Sequence, residues 1–280
     1  MFIFEILKAV LFGIVEGITE WLPVSSTGHI ILLDEFIQLK ASAEFKSMFD
    51  VVIQLGAILA VIVIFFNKLN PFDAKKSPAK KKATRELWFK VCLAIIPSGV
   101  VGILFDEWME NHLHSGIPVA IALIVYGIAF IYVERMNANR QPRIGKVWNI
   151  DYKTALLIGC FQCLSLVPGT SRSGSTILGA ILLGVSRSAG SEFSFFMAIP
   201  TMLGASAIKL LQFLTSGAAF GFQEVTLLLV GTVVSFLVSM VAIKGLMNYV
   251  RKHSFAAFGV YRIVLGAIVL VYFVGKAILV

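Results

Sequence analysis

Two carboxylates stand four residues apart in an apolar stretch near the start of the chain. Glu16 and Glu20 fall on one face of a helix, with their Cβ atoms about 5 to 6 Å apart. Ionisable groups within apolar segments are energetically costly and are functional candidates by default. Carboxylate oxygens suit Mg²⁺ or Ca²⁺, which often share them with a substrate phosphate. The pair predicts a divalent-cation site; the alternative is that it only solvates a water-filled vestibule.

The residues that follow this pair can supply a nucleophile and a proton carrier. Ser25, Ser26 and Thr27 offer hydroxyl groups, and His29 can act as a general acid or base near neutral pH. Ser26 and His29 are three residues apart, so their side chains can approach one face of a first helical turn. Attack by a hydroxyl group and attack by water activated by His29 both remain open at this point.

A second segment supplies positive charge. Arg172 lies in a Gly- and Ser-rich turn that opens a helix, together with Ser171, Ser173 and Thr176. Backbone N–H groups at a helix start, hydroxyl groups and a guanidinium fork together make a phosphate-binding site. The alternative is an arginine paired with an intramembrane glutamate for structural reasons alone. Cation-binding carboxylates in one segment and an anion site in the other indicate a phosphorylated substrate.

The two segments are copies of each other. Glu16 to Leu32 reads EGITEWLPVSSTGHIIL, and Gln162 to Leu178 reads QCLSLVPGTSRSGSTIL, so that Ser25 aligns with Ser171. Paired segments interrupted by Gly and Pro are typical of a membrane site built at the interface of two repeats.

Composition indicates an all-α integral membrane protein. Of the 280 residues, 58% are hydrophobic and 14% charged, and a soluble core could not bury so much apolar surface. Long apolar stretches recur along the whole chain, which favours helices over a barrel. The net charge of +8 is concentrated in the segments 67–86, 134–153 and 244–252. This is the bias of cytoplasmic loops, and it argues against nucleic acid as a partner.

We predict one membrane domain, 1–280, that consists of repeat one (1–135), a cytoplasmic linker (136–152) and repeat two (153–280). Each repeat has five helical segments, of which the first two are short and the last three cross the membrane. The predicted segments are Phe2–Val15, Gly28–Leu39, Phe45–Phe66, Leu87–Phe105, Ile117–Tyr132, Thr154–Leu166, Thr176–Val185, Ser191–Leu214, Val225–Gly245 and Phe255–Ile278.

The short pairs predict re-entrant hairpins, whose exposed backbone is tolerated only when it is buried in protein. Because three crossings per repeat is an odd number, the second repeat must be inverted relative to the first. The segment 106–115 contains three acidic residues and no Lys or Arg, and 215–224 has no basic residue, so both are expected outside. The termini are then outside, and the active site opens toward the outer face.

The segments Glu16–His29 and Pro168–Thr176 resemble the two signature motifs of the bacterial undecaprenyl-diphosphatase family, the bacitracin-resistance proteins. The resemblance covers essentially the whole chain. It implies a bacterial cell membrane enzyme that hydrolyses undecaprenyl diphosphate to undecaprenyl phosphate and orthophosphate for peptidoglycan synthesis. It places Glu16 and Glu20 on the acidic motif, and Ser26 and His29 on the catalytic pair. Arg172 takes the phosphate-binding position.

Two other classes of protein share some of these features. A lipid phosphatase of the acid-phosphatase type needs a histidine six residues after its Ser-Arg pair, and Leu178 occupies that place. A transporter or flippase of the phosphorylated lipid carrier would also have inverted repeats and broken helices. The serine, histidine and glutamates gathered on one hairpin favour the enzyme. Whether the chain forms a homodimer is left open.

Overall fold

The computed structural model describes residues 2–113, 115–217 and 220–279, and within them the chain is helical, with no strand. In these residues twelve α-helices follow one another, with two short 3₁₀ turns at Val147–Asn149 and Leu164–Leu166. The helices are α1 (Phe2–Thr19), α2 (Ser26–Phe36), α3 (Ala43–Val52), α4 (Gln54–Ile64), α5 (Phe66–Leu69), α6 (Pro78–Leu113), α7 (Gly116–Asn137), α8 (Tyr152–Cys163), α9 (Arg172–Leu182), α10 (Arg187–Thr215), α11 (Phe222–Tyr249) and α12 (Ala256–Leu279).

Six stretches of the described chain are long and apolar enough to cross a bilayer. They are α3 with α4, and then α6, α7, α10, α11 and α12. These are the six crossings predicted from the sequence, so the prediction of an all-α integral membrane protein is confirmed. Helices satisfy all their backbone hydrogen bonds internally, which is why such apolar sequences fold in this way.

Several predicted helix boundaries differ from those in the structure. Helix α6 begins at Pro78 and continues to Leu113. It therefore includes residues 78–86 of the basic segment 67–86 and residues 106–113 of the acidic segment 106–115, both of which were expected to be loops. The predicted helix Phe45–Phe66 is broken at Ile53, where the backbone N–H bonds to the carbonyl of Phe49. The change from apolar to polar residues marks where α6 leaves the apolar region. The helix itself continues beyond that point.

The two predicted hairpin turns share an unusual backbone conformation. Ser25 has φ 74° and Ser171 has φ 75°, and among the residues described no other non-glycine residue has a positive φ. Each serine side chain caps the following helix, accepting from Gly28 N at 3.2 Å and Gly174 N at 3.1 Å. A positive φ is unfavourable for an L-residue, and strained backbone of this kind clusters at functional sites.

The packing of the two halves is reciprocal. Helix α1 of the first half packs on α11 of the second, and α8, the counterpart of α1, packs on α6. Helices α7 and α12 meet at Gly127 and Gly259, where a Cβ added to either glycine would lie 2.7 Å from the carbonyl oxygen of the other. Small residues allow backbones in membranes to approach this closely.

The first hairpin turn is buried beside an aromatic cluster. Trp21 is fully buried and packs edge-on against Phe195 with ring centroids 5.1 Å apart. Phe195 and Phe196 of α10 in turn contact Phe65 at the end of α4. These aromatic contacts pack the turn after α1 against α10.

Candidate active site

The two hairpin turns meet at an ion pair. Glu20, just after α1, accepts from Arg172 Nη2, at the start of α9, through Oε1 at 2.8 Å. The other carboxylate oxygen, Oε2, accepts from Ser26 Oγ at 2.8 Å. Glu20 and Ser26 are both buried, where charge-assisted hydrogen bonds are short and strong. The structure therefore brings together the acidic and the basic segment that the sequence singled out.

Arg172 is held from three sides. Its Nη1 donates to the backbone carbonyl of Ser194 on α10 at 2.7 Å, and its guanidinium lies over the Trp21 ring, 5.6 Å from the centroid. The Ser194 hydroxyl also bonds to Thr176 Oγ1 at 2.7 Å. Sequence reasoning missed Ser194, because a serine in an apolar helix gives no signal of its own. The guanidinium Nε is buried and has no hydrogen-bond partner within the described residues.

Other predicted phosphate ligands hold the turns in place. Ser173 Oγ donates to the carbonyls of Glu20 at 3.1 Å and Leu22 at 3.4 Å, which ties the second turn to the first. Ser171 Oγ lies 3.2 Å from Ser173 Oγ in addition to capping α9. Thr27 lies in the first turn of α2 and is half-buried. The hydroxyl groups that make these hydrogen bonds fix the backbone that would contact a phosphate.

His29 does not pair with Ser26, contrary to the geometry expected from their spacing. Its Nδ1 lies 2.7 Å from the carbonyl oxygen of Ser25, and its Nε2 lies 2.7 Å from the hydroxyl of Tyr261 on α12. Because a carbonyl only accepts, Nδ1 must carry the proton, and a neutral His29 then accepts from Tyr261 through Nε2. The rings are also stacked, with an interplanar angle of 5°. Nothing in the sequence near Tyr261 indicated this contact.

A second arginine bonds to both hairpin turns. Arg262 is fully buried and donates to the carbonyl of Pro23 at 3.3 Å and to the carbonyl of Gly169 at 2.8 Å. Its guanidinium lies over the ring of Tyr126, 5.8 Å from the centroid. Sequence reasoning missed Arg262, although a charged residue inside an apolar crossing was a signal that could have found it.

Glu16 lies one helical turn before Glu20 and is also buried. Its Oε1 has no hydrogen-bond partner among the described residues. No group of three or more His, Cys, Asp or Glu suited to a metal occurs in the described part of the chain. Two carboxylates with one unsatisfied oxygen nevertheless fit Mg²⁺ or Ca²⁺, since such ions are often held by one or two carboxylates plus substrate phosphates.

The fold and this site define a polytopic helical membrane protein with a buried centre made of a serine, a carboxylate and an arginine from two interrupted hairpins. Residues 9–268 match the family described as "Bacitracin resistance protein BacA". The chain belongs to this family.

Curated relatives agree with this assignment. The chain is 52% identical to the "Undecaprenyl-diphosphatase" of Streptococcus equi subsp. equi (strain 4047), over 99% of this chain and all of that protein. It is 54% identical to the protein of the same name from Streptococcus pyogenes serotype M5 (strain Manfredo), over 97% of this chain and 98% of that protein.

Proposed function

We propose that this protein hydrolyses undecaprenyl diphosphate to undecaprenyl phosphate and orthophosphate, and so returns the lipid carrier to cell-wall synthesis. The observation that carries the proposal is the buried carboxylate of Glu20, which bonds Ser26 and Arg172 at once. The names of the relatives specify the substrate. Bacitracin resistance follows if the enzyme competes with bacitracin for the lipid diphosphate.

Ser26 is the nucleophile in this proposal, and Glu20 is its base. The Ser26 oxygen attacks the terminal phosphorus while its proton passes to Glu20 Oε2, the atom to which it already donates. The bond from the terminal phosphorus to the bridging oxygen breaks, and its electron pair leaves with undecaprenyl phosphate. Water then attacks the phosphoserine, the proton on Glu20 returns to the Ser26 oxygen, and orthophosphate leaves as the monoanion. Direct attack by water remains the alternative.

His29 has a positioning role in this scheme. Through Nδ1 it holds the carbonyl of Ser25, the residue whose strained backbone aims Ser26 at Glu20. Tyr261 fixes the ring from the opposite side. The nucleophile is thereby pre-organised, which lowers the cost of reaching the attacking geometry.

Arg172 stabilises the phosphoryl group as charge develops on it. In this proposal a phosphate oxygen accepts from Arg172 Nε, which has no hydrogen-bond partner among the described residues, and the anion lies at the positive end of α9. Ser171, Ser173 and Thr176 support this anion site. Glu16 and Glu20 would hold a divalent cation, which would neutralise the diphosphate charge when bound.

Two inverted repeats would explain why the turns meet. Reciprocal packing, in which α1 meets α11 and α8 meets α6, is what a two-fold relation between the halves requires. The contact between Gly127 and Gly259 fits the same two-fold relation, because a Cβ added to either glycine would lie equally close to the carbonyl oxygen of the other. With the basic segments inside, the site opens toward the outer face of the bacterial cell membrane.

Phosphate release from detergent-solubilised protein tests the function. A transporter needs an anion site but no serine bonded to a carboxylate base, and in detergent there is no membrane to cross. We expect orthophosphate in stoichiometric amounts with undecaprenyl phosphate, and we expect the Ser26→Ala variant to lose it. A purified, folded wild-type protein that releases no phosphate contradicts the enzyme and leaves the transporter.

A further inference from the structure

A pocket lies at the end of α9 that is farthest from the candidate active site. Its volume is about 350 Å³, and it is bounded by the ends of α7 and α11, the segment 140–143 and the turn between α9 and α10. Helix α9 begins at Arg172 in the candidate site and ends at Leu182 in this pocket, a span of about 15 Å of helix. The pocket is therefore separate from the candidate active site, and its volume is in the range of ligand pockets, roughly 300 to 1,000 Å³.

Four arginines line this arginine pocket, and within the described part of the chain its lining contains no acidic residue. They are Arg140, Arg143, Arg187 and Arg251. Arg187 is already paired with Glu134, to which it donates from Nε at 2.9 Å and also from Nη2. The side chains of the other three form no hydrogen bond and no ion pair with any residue that the structure describes. Like charges around one cavity repel one another and concentrate anions there.

Hydrogen bonds fix the loop that carries two of these arginines. Ile144 N donates to the carbonyl of Gly184 at 3.0 Å, and Ser186 N donates to the carbonyl of Ile144 at 2.8 Å. Ser186 Oγ donates to the carbonyl of Gly145 at 3.2 Å and also caps α10. Arg143 directly precedes this segment, which is bound to the turn between α9 and α10. The pocket wall is thus preorganised, and a ligand need not order it on binding.

We propose that the arginine pocket is a second phosphate site, for a phosphate group that is carried by an anionic lipid or is free in solution. A guanidinium group presents two parallel N–H donors that match two phosphate oxygens. Three unpaired guanidinium groups at one cavity therefore suit a phosphate better than a carboxylate. The inference does not depend on the proposed function, because it concerns binding at a place that the reaction does not use.

The rest of the lining favours a lipid as the source of the phosphate. Apolar side chains complete the pocket, and one of them, Leu182, is 41% exposed. The others are Ile181, Val185 and Val250. The pocket also lies where the crossings α7 and α11 end and where basic residues are concentrated. Basic pockets between helices at this level of a membrane bind the headgroups of anionic lipids.

Two matched pairs of substitutions test the pocket. Arg140→Gln/Arg143→Gln removes two of its unpaired cations. Arg85→Gln/Arg135→Gln is the control, since both of these arginines are exposed, lie in basic segments and are outside the pocket. Each double variant lowers the net charge by two, so a general effect of charge on lipid binding is equal in both. Full-length protein in detergent is titrated with phosphatidylglycerol or with zwitterionic phosphatidylcholine, and bound lipid is measured by native mass spectrometry.

We expect wild type and the control to bind phosphatidylglycerol about tenfold or more tightly than phosphatidylcholine, because each arginine near a lipid headgroup contributes several-fold in affinity. Arg140→Gln/Arg143→Gln should lose this preference while keeping the melting temperature of wild type.

A cysteine in the pocket identifies the source of the phosphate. Ser188 lines the pocket and is half-buried. In a background that lacks Cys92, Cys160 and Cys163, the rate at which a maleimide modifies Ser188→Cys is measured with phosphatidylglycerol, phosphatidylcholine or excess orthophosphate. A cysteine at Ser77, outside the pocket, is the control for general effects on the reagent.

Protection by phosphatidylglycerol alone assigns the pocket to a lipid headgroup, and protection by orthophosphate assigns it to free phosphate. Both results support a phosphate site provided that Arg140→Gln/Arg143→Gln abolishes the protection. The proposal is overturned if neither ligand protects the cysteine, or if the two double variants bind phosphatidylglycerol with equal affinity.

Discussion

Glu20 and Arg172 are 152 positions apart in the chain, yet their side chains meet at 2.8 Å in the protein interior. Each comes from one hairpin turn, and neither hairpin contains the site alone. A buried ion pair contributes little net stability, but removing one partner leaves a costly uncompensated charge. The pair therefore couples the correct docking of the two halves to the formation of the site.

Arg172→Lys should be nearly as damaging as Arg172→Ala. The guanidinium spans Glu20 on one side and the carbonyl of Ser194 on the other, and a lysine cannot reach both while also contacting phosphate. We expect each variant to lose about a hundredfold or more in kcat. Steady-state phosphate release measures this, with thermal stability as the control for folding. A lysine variant with more than about a third of wild-type turnover would show that charge alone suffices.

Removal of the cation should have the same effect as neutralising its predicted ligand. Glu16→Gln keeps the shape of the side chain but weakens an oxygen ligand, so we expect turnover to become nearly independent of added Mg²⁺ or Ca²⁺ and very low. Excess chelator should inactivate wild type, and added cation should restore it. Full activity of wild type in excess chelator contradicts a metal role for Glu16 and Glu20.

The sequence was sufficient to predict the six crossings and the approach of the two interrupted segments that carry Glu20 and Arg172, but not that these two side chains form an ion pair. These follow from hydropathy and from the duplication, both of which are recorded locally in the chain. The partners of the site residues were not predictable in the same way. Ser194 and Tyr261 reach the site through helix packing, which depends on contacts between distant segments.

Helix ends were also not predictable from local sequence alone. The acidic residues of the segment 106–115 correctly marked a change in polarity, but α6 continues as a helix to Leu113. The spacing of Ser26 and His29 allowed them to pair; in the structure, each side chain finds a partner that holds it more directly. Spacing restricts which residues can meet, and tertiary contacts then select among them.

Gly127→Leu should destabilise the protein strongly. A Cβ added at this position would lie 2.7 Å from the Gly259 carbonyl oxygen, so a leucine side chain would force α7 and α12 apart. We expect a loss of roughly 1 to 3 kcal/mol or more, as is typical of overpacking. Thermal unfolding in detergent measures it, with Gly204→Leu on α10 as the control, because a Cβ added at Gly204 meets no atom within 4 Å. Equal melting temperatures for the two variants would mean that this helix contact does not contribute to stability.

The proposed orientation can be tested by cysteine labelling in intact cells. In a background that lacks Cys92, Cys160 and Cys163, a cysteine at Ser115 should react with a membrane-impermeant maleimide, and a cysteine at Ser77 should react only after lysis. The physical reason is the concentration of Lys and Arg around Ser77, which marks cytoplasmic segments. Labelling at Ser77 but not at Ser115 from outside would reverse the orientation.

Ser26→Ala should distinguish covalent attack from attack by water. Ser26 Oγ donates to Glu20 Oε2 at 2.8 Å, so the base for its proton is already in place. If Ser26 is the nucleophile, its removal should cost on the order of a thousandfold or more in rate. If water attacks, only one hydrogen bond is lost, and the decrease should be about ten- to a hundredfold.

Rapid quenching with substrate labelled by ³²P at the terminal phosphorus provides the decisive measurement. The covalent route requires phosphoserine at position 26 that forms and decays at rates compatible with turnover, and Glu20→Gln should slow its formation because the proton acceptor is weakened. Stereochemistry at a chiral phosphorus gives an independent readout, since two displacements retain configuration and one inverts it. Inversion, with solvent ¹⁸O in the orthophosphate and no phosphoserine, would assign the attack to water and leave Ser26 to position Glu20.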